Sequence, residues 1–145
     1  MKKNTSRRFK IAYHIMELKE SGTVRSPDDI CKLVSGDIKN ELQECLMLIG
    51  LDVRNTIISK HLVAKGAHNR LQVTPREMLI PLLHNGCSNV ILMHNHPSGS
   101  TSPSEEDIVF TKRADKAFKL MGMTFLDHVI VSGTGFYSFK KEGLI

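Results

Sequence analysis

The chain has 145 residues, of which 41% are hydrophobic and 24% charged, as expected for a globular protein with a single ordinary core. No apolar run approaches the about 20 residues that a membrane-spanning helix needs. The basic start MKKNTSRRFK continues into IAYHIMELKE, which is too polar to be the apolar block of a signal peptide. We therefore expect one domain, no export signal and a cytoplasmic location.

The net charge of +5 is concentrated at the start of the chain. Five of the 20 basic residues lie within the first ten positions, which contain no acid, so the other 135 residues hold 15 basic and 15 acidic groups. We interpret residues 1–25 as a basic N-terminal tail and a helix, separate from a neutral domain over 26–145. Such a tail is expected to be solvated, with at most a weak, salt-dependent contact to nucleic acid.

The three cysteines are Cys31, Cys45 and Cys87, an odd number with no CxxC spacing. This pattern favours reduced, packed thiols over a disulfide or a thiolate metal site.

The first half of the chain predicts two helices and a hairpin. An amphipathic helix ending at ESG is predicted from the spacing of Phe9, Ala12, Tyr13, Ile15 and Met16. The stretch SPDDICKLV predicts a second helix, with Ser26 as N-cap and Pro27 at its first position. ECLMLIGLD (Glu44–Asp52) and NTIISKHLVAKG (Asn55–Gly66) are typical of two strands of a hairpin.

The second half predicts two helices and three strands. TPREMLIPLLHNG (Thr74–Gly86) has a helix opening, and its internal Pro81 is expected to kink or shorten the helix. SNVILMHNH is typical of a central strand, and SEEDIVFTKRADKAFKLMG of a helix capped by Ser104. TFLDHVIVSG and GFYSF complete the strands. The order of elements predicts an α/β fold with a mixed central sheet flanked by helices.

The stretch HNHPSGSTSPSEED (His94–Asp107) carries the most specific pattern in the chain. Side chains at i and i+2 of a strand point to the same face, so His94 and His96 are expected to converge at the end of the central strand. Asp107 follows in the first turn of the next helix. Two imidazoles and a carboxylate form a three-ligand set for Zn²⁺ that leaves the fourth tetrahedral position for water.

Each of these residues also has a purely structural interpretation. The histidines are explained as polar groups at a strand end, Ser104 as an N-cap, and Asp107 as an acid at the positive end of a helix dipole. Because a single short loop would need all of these explanations at once, we favour the metal site.

The same stretch resembles the JAMM pattern of the JAB/MPN metalloproteases, which is His-x-His-Pro, six residues, then Ser-x-x-Asp. ECLMLIGLD, VTPREM, ILMHNHPSGSTSPSEEDIVFT and LMGMTFLDHVIVSGTGFYSF resemble the bacterial RadC family in particular. The resemblance runs from about Ser26 to the C-terminus. It implies a JAB/MPN-like, cytidine-deaminase-like architecture over 26–145 in a short form, without the helix-hairpin-helix region that usually precedes this domain.

The resemblance also implies a role for each matching residue. His94, His96 and Asp107 match the zinc ligands, and Ser104 matches the serine that stabilises the tetrahedral intermediate. The residues alone leave the general base open among Glu17, Glu20, Glu41, Glu44 and Glu77. The family places it at the start of the first strand of the hairpin, which selects Glu44, with Glu41 as the second choice. His128 matches a family position and is expected to be a hydrogen-bonded core residue.

We therefore predict a zinc metallopeptidase of the JAMM type that hydrolyses a peptide or isopeptide bond with zinc-activated water. The alternative is a DNA-repair-associated or mobile-element accessory protein that binds nucleic acid and has a structural or vestigial metal site. A metal-dependent hydrolase with a non-peptide substrate is a third possibility. The sequence names neither the substrate nor the oligomeric state.

Overall fold

The structure, a computed structural model, describes residues 14–15, 22–66 and 73–145. Within these residues the chain forms six strands and three α-helices, with a short 3₁₀ turn after the first helix. They are β1 (His14–Ile15), α1 (Pro27–Val34), the 3₁₀ turn (Ser35–Asp37), β2 (Cys45–Leu51), β3 (Ile57–Lys65), α2 (Pro75–His84), β4 (Asn89–Asn95), α3 (Glu105–Leu120), β5 (Thr124–Ser132) and β6 (Gly135–Ser138).

All three helices begin with the same local device, a capping box. In each, a serine or threonine oxygen at the N-cap accepts the backbone N–H three residues later, and the acid at that later position accepts the N-cap N–H. The pairs are Ser26 with Asp29, Thr74 with Glu77, and Ser104 with Asp107. Every predicted helix start in the described part of the chain is therefore confirmed.

The strands form one mixed sheet in the order β1-β3-β2-β4-β5-β6. β2 pairs antiparallel with both β3 and β4, whereas β4 and β5 are parallel and are connected through α3. A parallel pair needs such a crossover, which brings the N-terminus of α3 to the carboxyl end of β4. The predicted hairpin and the predicted α/β fold with a mixed sheet flanked by helices are confirmed.

The sheet has a hydrophobic core on each face. One core lies under α2 and α3 and includes Leu48, Leu92, Phe110 and Phe118. The other lies under α1 and includes Ile30, Met47, Ile49 and Met93. Successive residues of β2 and β4 therefore alternate between the two cores, which is why both strands are continuous apolar runs.

One expectation for an individual element needs correction. His14–Ile15 pair with β3 as a short strand, so the predicted helix is wrong at these two residues, and the rest of that predicted helix before Gly22 lies outside the described residues. The free edge of β3 offers unpaired backbone groups, and strand pairing satisfies them. In addition, α2 continues three residues beyond Pro81 to His84, and the kink or shortening expected from this proline stays a prediction.

Gly50 is closely covered by side chains from α2, β3 and the turn after α2. A Cβ atom at this position would lie 2.5 Å from Ser59 Oγ, closer still to Cys87 Sγ, and 3.1 Å from Leu82 Cδ2. We expect Gly50→Ala to lower the free energy of unfolding by about 1–3 kcal/mol, the usual cost of overpacking a core. Urea denaturation measures the change. Gly36→Ala is the matched control, because a Cβ there meets nothing within 4 Å, and equal stability of the two variants would contradict the prediction.

No helix in residues 22–66 and 73–145 has the length and apolar character needed to cross a membrane.

Candidate metal centre

The centre lies at the carboxyl end of β4, on the face of the sheet that carries α3. Leu92 and His94 point to this face, as expected from the alternation along the strand. Leu46 of β2 is paired with His94, and continuing this antiparallel register by two residues sets Glu44 opposite His96. The turn after β4 then leads into α3, whose first residues include Asp107.

The side chains of Glu44, His94, His96 and Asp107 converge at one point. His94 Nε2 and His96 Nε2 lie 3.0 Å apart. Asp107 places Oδ1 3.3 Å from His94 Nε2 and Oδ2 3.4 Å from His96 Nε2. Glu44 Oε1 lies 3.6 Å from His96 Nε2. The ligand atoms of Glu44, His94 and His96 all fall within 4.8 Å of one another, so these residues could hold a metal ion.

These separations fit a tetrahedral ion. Ligand atoms that lie about 2.0–2.1 Å from a tetrahedral zinc ion are about 3.3–3.4 Å from each other. The separation of the two Nε2 atoms is slightly shorter than this, and each Asp107 oxygen lies at about this distance from one imidazole, Oδ1 from His94 and Oδ2 from His96.

The centre is buried on one side and open on the other. The side chains of His94 and Asp107 are fully buried, whereas His96 and Glu44 are 14% and 13% exposed. The side of the centre that reaches the surface is therefore that of His96 and Glu44.

Asp107 is held in place by the start of its own helix. Its Oδ2 accepts the backbone N–H of Ser104 at 2.7 Å, and its own N–H is bonded to Ser104 Oγ at 3.1 Å. The capping function and the position beside the histidines therefore coexist, and the two interpretations weighed from the sequence do not exclude each other. Ser104 is exposed and uses its oxygen as acceptor in this bond, which leaves the hydroxyl proton for donation to another group.

The structure also distinguishes the candidate general bases. Glu41 forms an ion pair with Lys65 at 2.9 Å, and Glu77 closes the capping box of α2. Glu17 and Glu20 lie outside the described residues. Among the candidates that the structure describes, Glu44 is the one whose carboxylate has a measured contact with the histidine pair.

Asn95, between the two histidines, holds the segment that carries Glu44. Its buried side chain donates from Nδ2 to the carbonyls of Glu41 (3.2 Å) and Gln43 (3.1 Å) and accepts the N–H of Cys45 at Oδ1 (2.6 Å). These bonds bracket Glu44 on both sides. The sequence did not predict this role, because the His-x-His pattern treats the residue between the histidines as a spacer. The available signal was an amide side chain between two residues of the site.

His94 is backed by two further polar residues. Its Nδ1 lies 2.7 Å from His128 Nε2, and His128 Nδ1 lies 2.6 Å from Thr111 Oγ1. The prediction that His128 is a hydrogen-bonded core residue is confirmed, since it is fully buried. The part that sequence reasoning missed is that its partner is His94.

The cysteines are poorly suited to compete for a metal ion. Burial, reinforced by the nearby carboxylates of Asp28 and Asp127, raises the pKa of the Cys31 thiol to about 12. Burial also raises the pKa values of the Cys45 and Cys87 thiols. Because the thiolate is the form that binds metal, these protonated thiols are weak ligands near neutral pH. All three are free cysteines, as the sequence predicts.

Fold and site together define an α/β domain with a histidine–carboxylate centre at the end of a central strand. The sequence model of the RadC-like JAB domain family matches residues 24–144, and the chain belongs to this family.

Proteins of several bacteria are similar in sequence to this chain. The chain is 37% identical over 122 residues to a UPF0758 protein of Desulforamulus reducens, a match that covers 84% of this chain and 54% of the relative. It is 36% identical over 139 residues to a UPF0758 protein of Clostridium perfringens (96% and 59%) and 40% identical over 122 residues to one of Finegoldia magna (84% and 55%). The chain thus spans between half and three fifths of the length of these relatives.

Proposed function

We propose that this domain is a zinc-dependent hydrolase that cleaves a peptide or isopeptide bond. The observation that carries the proposal is the convergence of two imidazoles and two carboxylates within 3.0–3.6 Å at a partly exposed strand end. A catalytic zinc site has three protein ligands and an open position. We assign His94, His96 and Asp107 as the ligands, since both oxygens of the buried Asp107 face imidazole nitrogens.

We assign the roles of the other two residues from the family resemblance and, for Glu44, also from its position beside His96. When bound, zinc lowers the pKa of a coordinated water from about 16 to roughly 7. Glu44, on the open side of the centre, would accept a proton from the attacking water and deliver it to the leaving amine. Ser104 would donate a hydrogen bond from its hydroxyl to the carbonyl oxygen of the scissile bond as negative charge develops there.

The zinc assignment makes a direct prediction for the wild-type protein. We expect about one zinc ion per chain by elemental analysis, and cleavage of peptides or of lysine-linked isopeptides that stops after chelation and returns with added zinc. Because the raised pKa values keep the thiols protonated, treatment of the folded protein with a thiol-blocking reagent should leave the zinc content unchanged. A protein that takes up no zinc even after incubation with it would overturn the proposal.

The basic tail supports a second, separate proposal, which is a weak contact with nucleic acid. Five basic and no acidic residues within the first ten give it the required charge. If the protein bound no zinc but did bind DNA in a salt-dependent manner, the accessory-protein interpretation would replace the hydrolase.

We further propose a cytoplasmic location, because the three cysteines are free thiols and disulfides persist mainly in oxidising compartments.

A further inference from the structure

A chain of hydrogen bonds runs from α3 through β5 to the back of His94. Thr111 Oγ1 lies 2.6 Å from the backbone carbonyl of Asp107 and 2.6 Å from His128 Nδ1. His128 Nε2 in turn lies 2.7 Å from His94 Nδ1. All three side chains are buried.

The direction of every bond in this chain follows from its first member. A carbonyl oxygen can only accept a hydrogen bond, so the Thr111 hydroxyl uses its single hydrogen to donate to the backbone carbonyl of Asp107. Thr111 Oγ1 must then accept a proton from His128 Nδ1. A neutral imidazole carries one N–H, so His128 Nε2 is an acceptor and takes the proton of His94 Nδ1. This leaves a lone pair at His94 Nε2, the atom that faces His96 and Asp107.

The packing around His128 keeps its ring in the orientation that this chain needs. The ring stacks on Phe139 with centroids 4.8 Å apart and planes 13° apart, and Phe110 meets it edge-on at 6.3 Å. Close packing on these sides opposes rotation of the ring about its χ2 angle. The tautomer of His96, also with its proton on Nδ1, is set by a single contact. Its Nδ1 lies 2.9 Å from the Ser100 carbonyl and must donate to it.

We propose that Thr111 and His128 are positioning residues that hold His94 in the tautomer able to bind a metal ion through Nε2. The inference rests on the proposed zinc site and adds to it the groups that prepare one of its ligands. Such outer partners of metal-binding histidines fix both the tautomer and the orientation of the ring.

The first test uses the metal-free wild-type protein and needs no substrate. At pH about 8, ¹⁵N NMR of the histidine side chains should show protons on His128 Nδ1 and His94 Nδ1 and none on His128 Nε2. A proton on His128 Nε2 would mean that the hydrogen bonds run in the opposite direction, and it would overturn the proposal. This experiment is independent of zinc binding and of any variant.

The second test removes the group that sets the direction. Thr111→Val keeps the shape of the side chain but removes the hydroxyl, so His128 Nδ1–H loses its acceptor. We expect His128 to change to the Nε2–H tautomer, which would place a proton on His94 Nε2. The affinity for zinc should fall about 10–100-fold, the usual effect of losing such a partner. Thr111→Ser retains the hydroxyl and should retain both the wild-type NMR pattern and the affinity.

The outcomes separate this inference from the function on which it rests. A folded Thr111→Val protein with wild-type tautomers and wild-type zinc affinity would refute the positioning role. Wild-type protein that shows the expected tautomers but binds no zinc would refute the proposed zinc site and leave the direction of the hydrogen bonds intact. Loss of affinity in Thr111→Ser as well as in Thr111→Val would refute the assignment to the hydroxyl group.

Discussion

Glu44→Gln is expected to retain bound zinc and to reduce hydrolysis about 10²–10⁴-fold, the range that general acid–base catalysis contributes. Glutamine has the size and shape of glutamate but cannot carry a proton between the attacking water and the leaving amine. Because His94, His96 and Asp107 are unchanged, the metal content should stay near that of the wild type. The 3.6 Å between Glu44 Oε1 and His96 Nε2 puts the carboxylate beside a proposed ligand, on the partly exposed side of the centre.

Glu41→Gln provides the matched control. It is the same substitution three residues away, on a carboxylate that pairs with Lys65 at 2.9 Å and is the second choice for the base. Zinc per chain and the cleavage rate of one peptide substrate are measured for both variants and the wild type. Full activity in Glu44→Gln with loss in Glu41→Gln would transfer the role of base to Glu41.

The sequence predicts the elements and the local part of the site because their signals are short-range. Each of the three helix starts is determined by two residues that lie three positions apart and form a capping box. In α1 these residues are Ser26 and Asp29. The convergence of His94 and His96 follows from strand alternation alone. The loop from His96 to Asp107 is equally local, since both ends are fixed by regular elements.

The remaining parts of the site depend on contacts between distant segments. Asn95 reaches Glu41 across 54 residues, and His94 meets His128 across 34. Both contacts require the register between neighbouring strands, which short-range patterns do not provide. Likewise, the pairing of His14–Ile15 with β3 depends on the free edge of β3, whereas the spacing of apolar residues there predicts a helix. The choice of Glu44 came from the family resemblance and not from the residues.

Asp107→Asn is expected to abolish stoichiometric zinc binding while leaving the fold in place. A neutral amide is a much weaker ligand for Zn²⁺ than a carboxylate, and Asp107 has an oxygen within 3.4 Å of each imidazole. The loss of affinity should exceed the about 10–100-fold that follows removal of an outer partner. The cost to stability should be small, about 0.5–2 kcal/mol at most, because an Asn oxygen can still accept the Ser104 N–H.

Asp29→Asn is the matched control, since Asp29 holds the same position in the capping box of α1 but lies away from the metal centre. Equal stabilities of the two variants by urea denaturation would show that loss of zinc in Asp107→Asn reflects a lost ligand and not a lost fold. The ligand atoms of Glu44, His94 and His96 also lie within 4.8 Å of one another, which makes Glu44 the competing third ligand. If Asp107→Asn kept its zinc and Glu44→Gln lost it, Glu44 would be the ligand and the roles proposed for the two carboxylates would be exchanged.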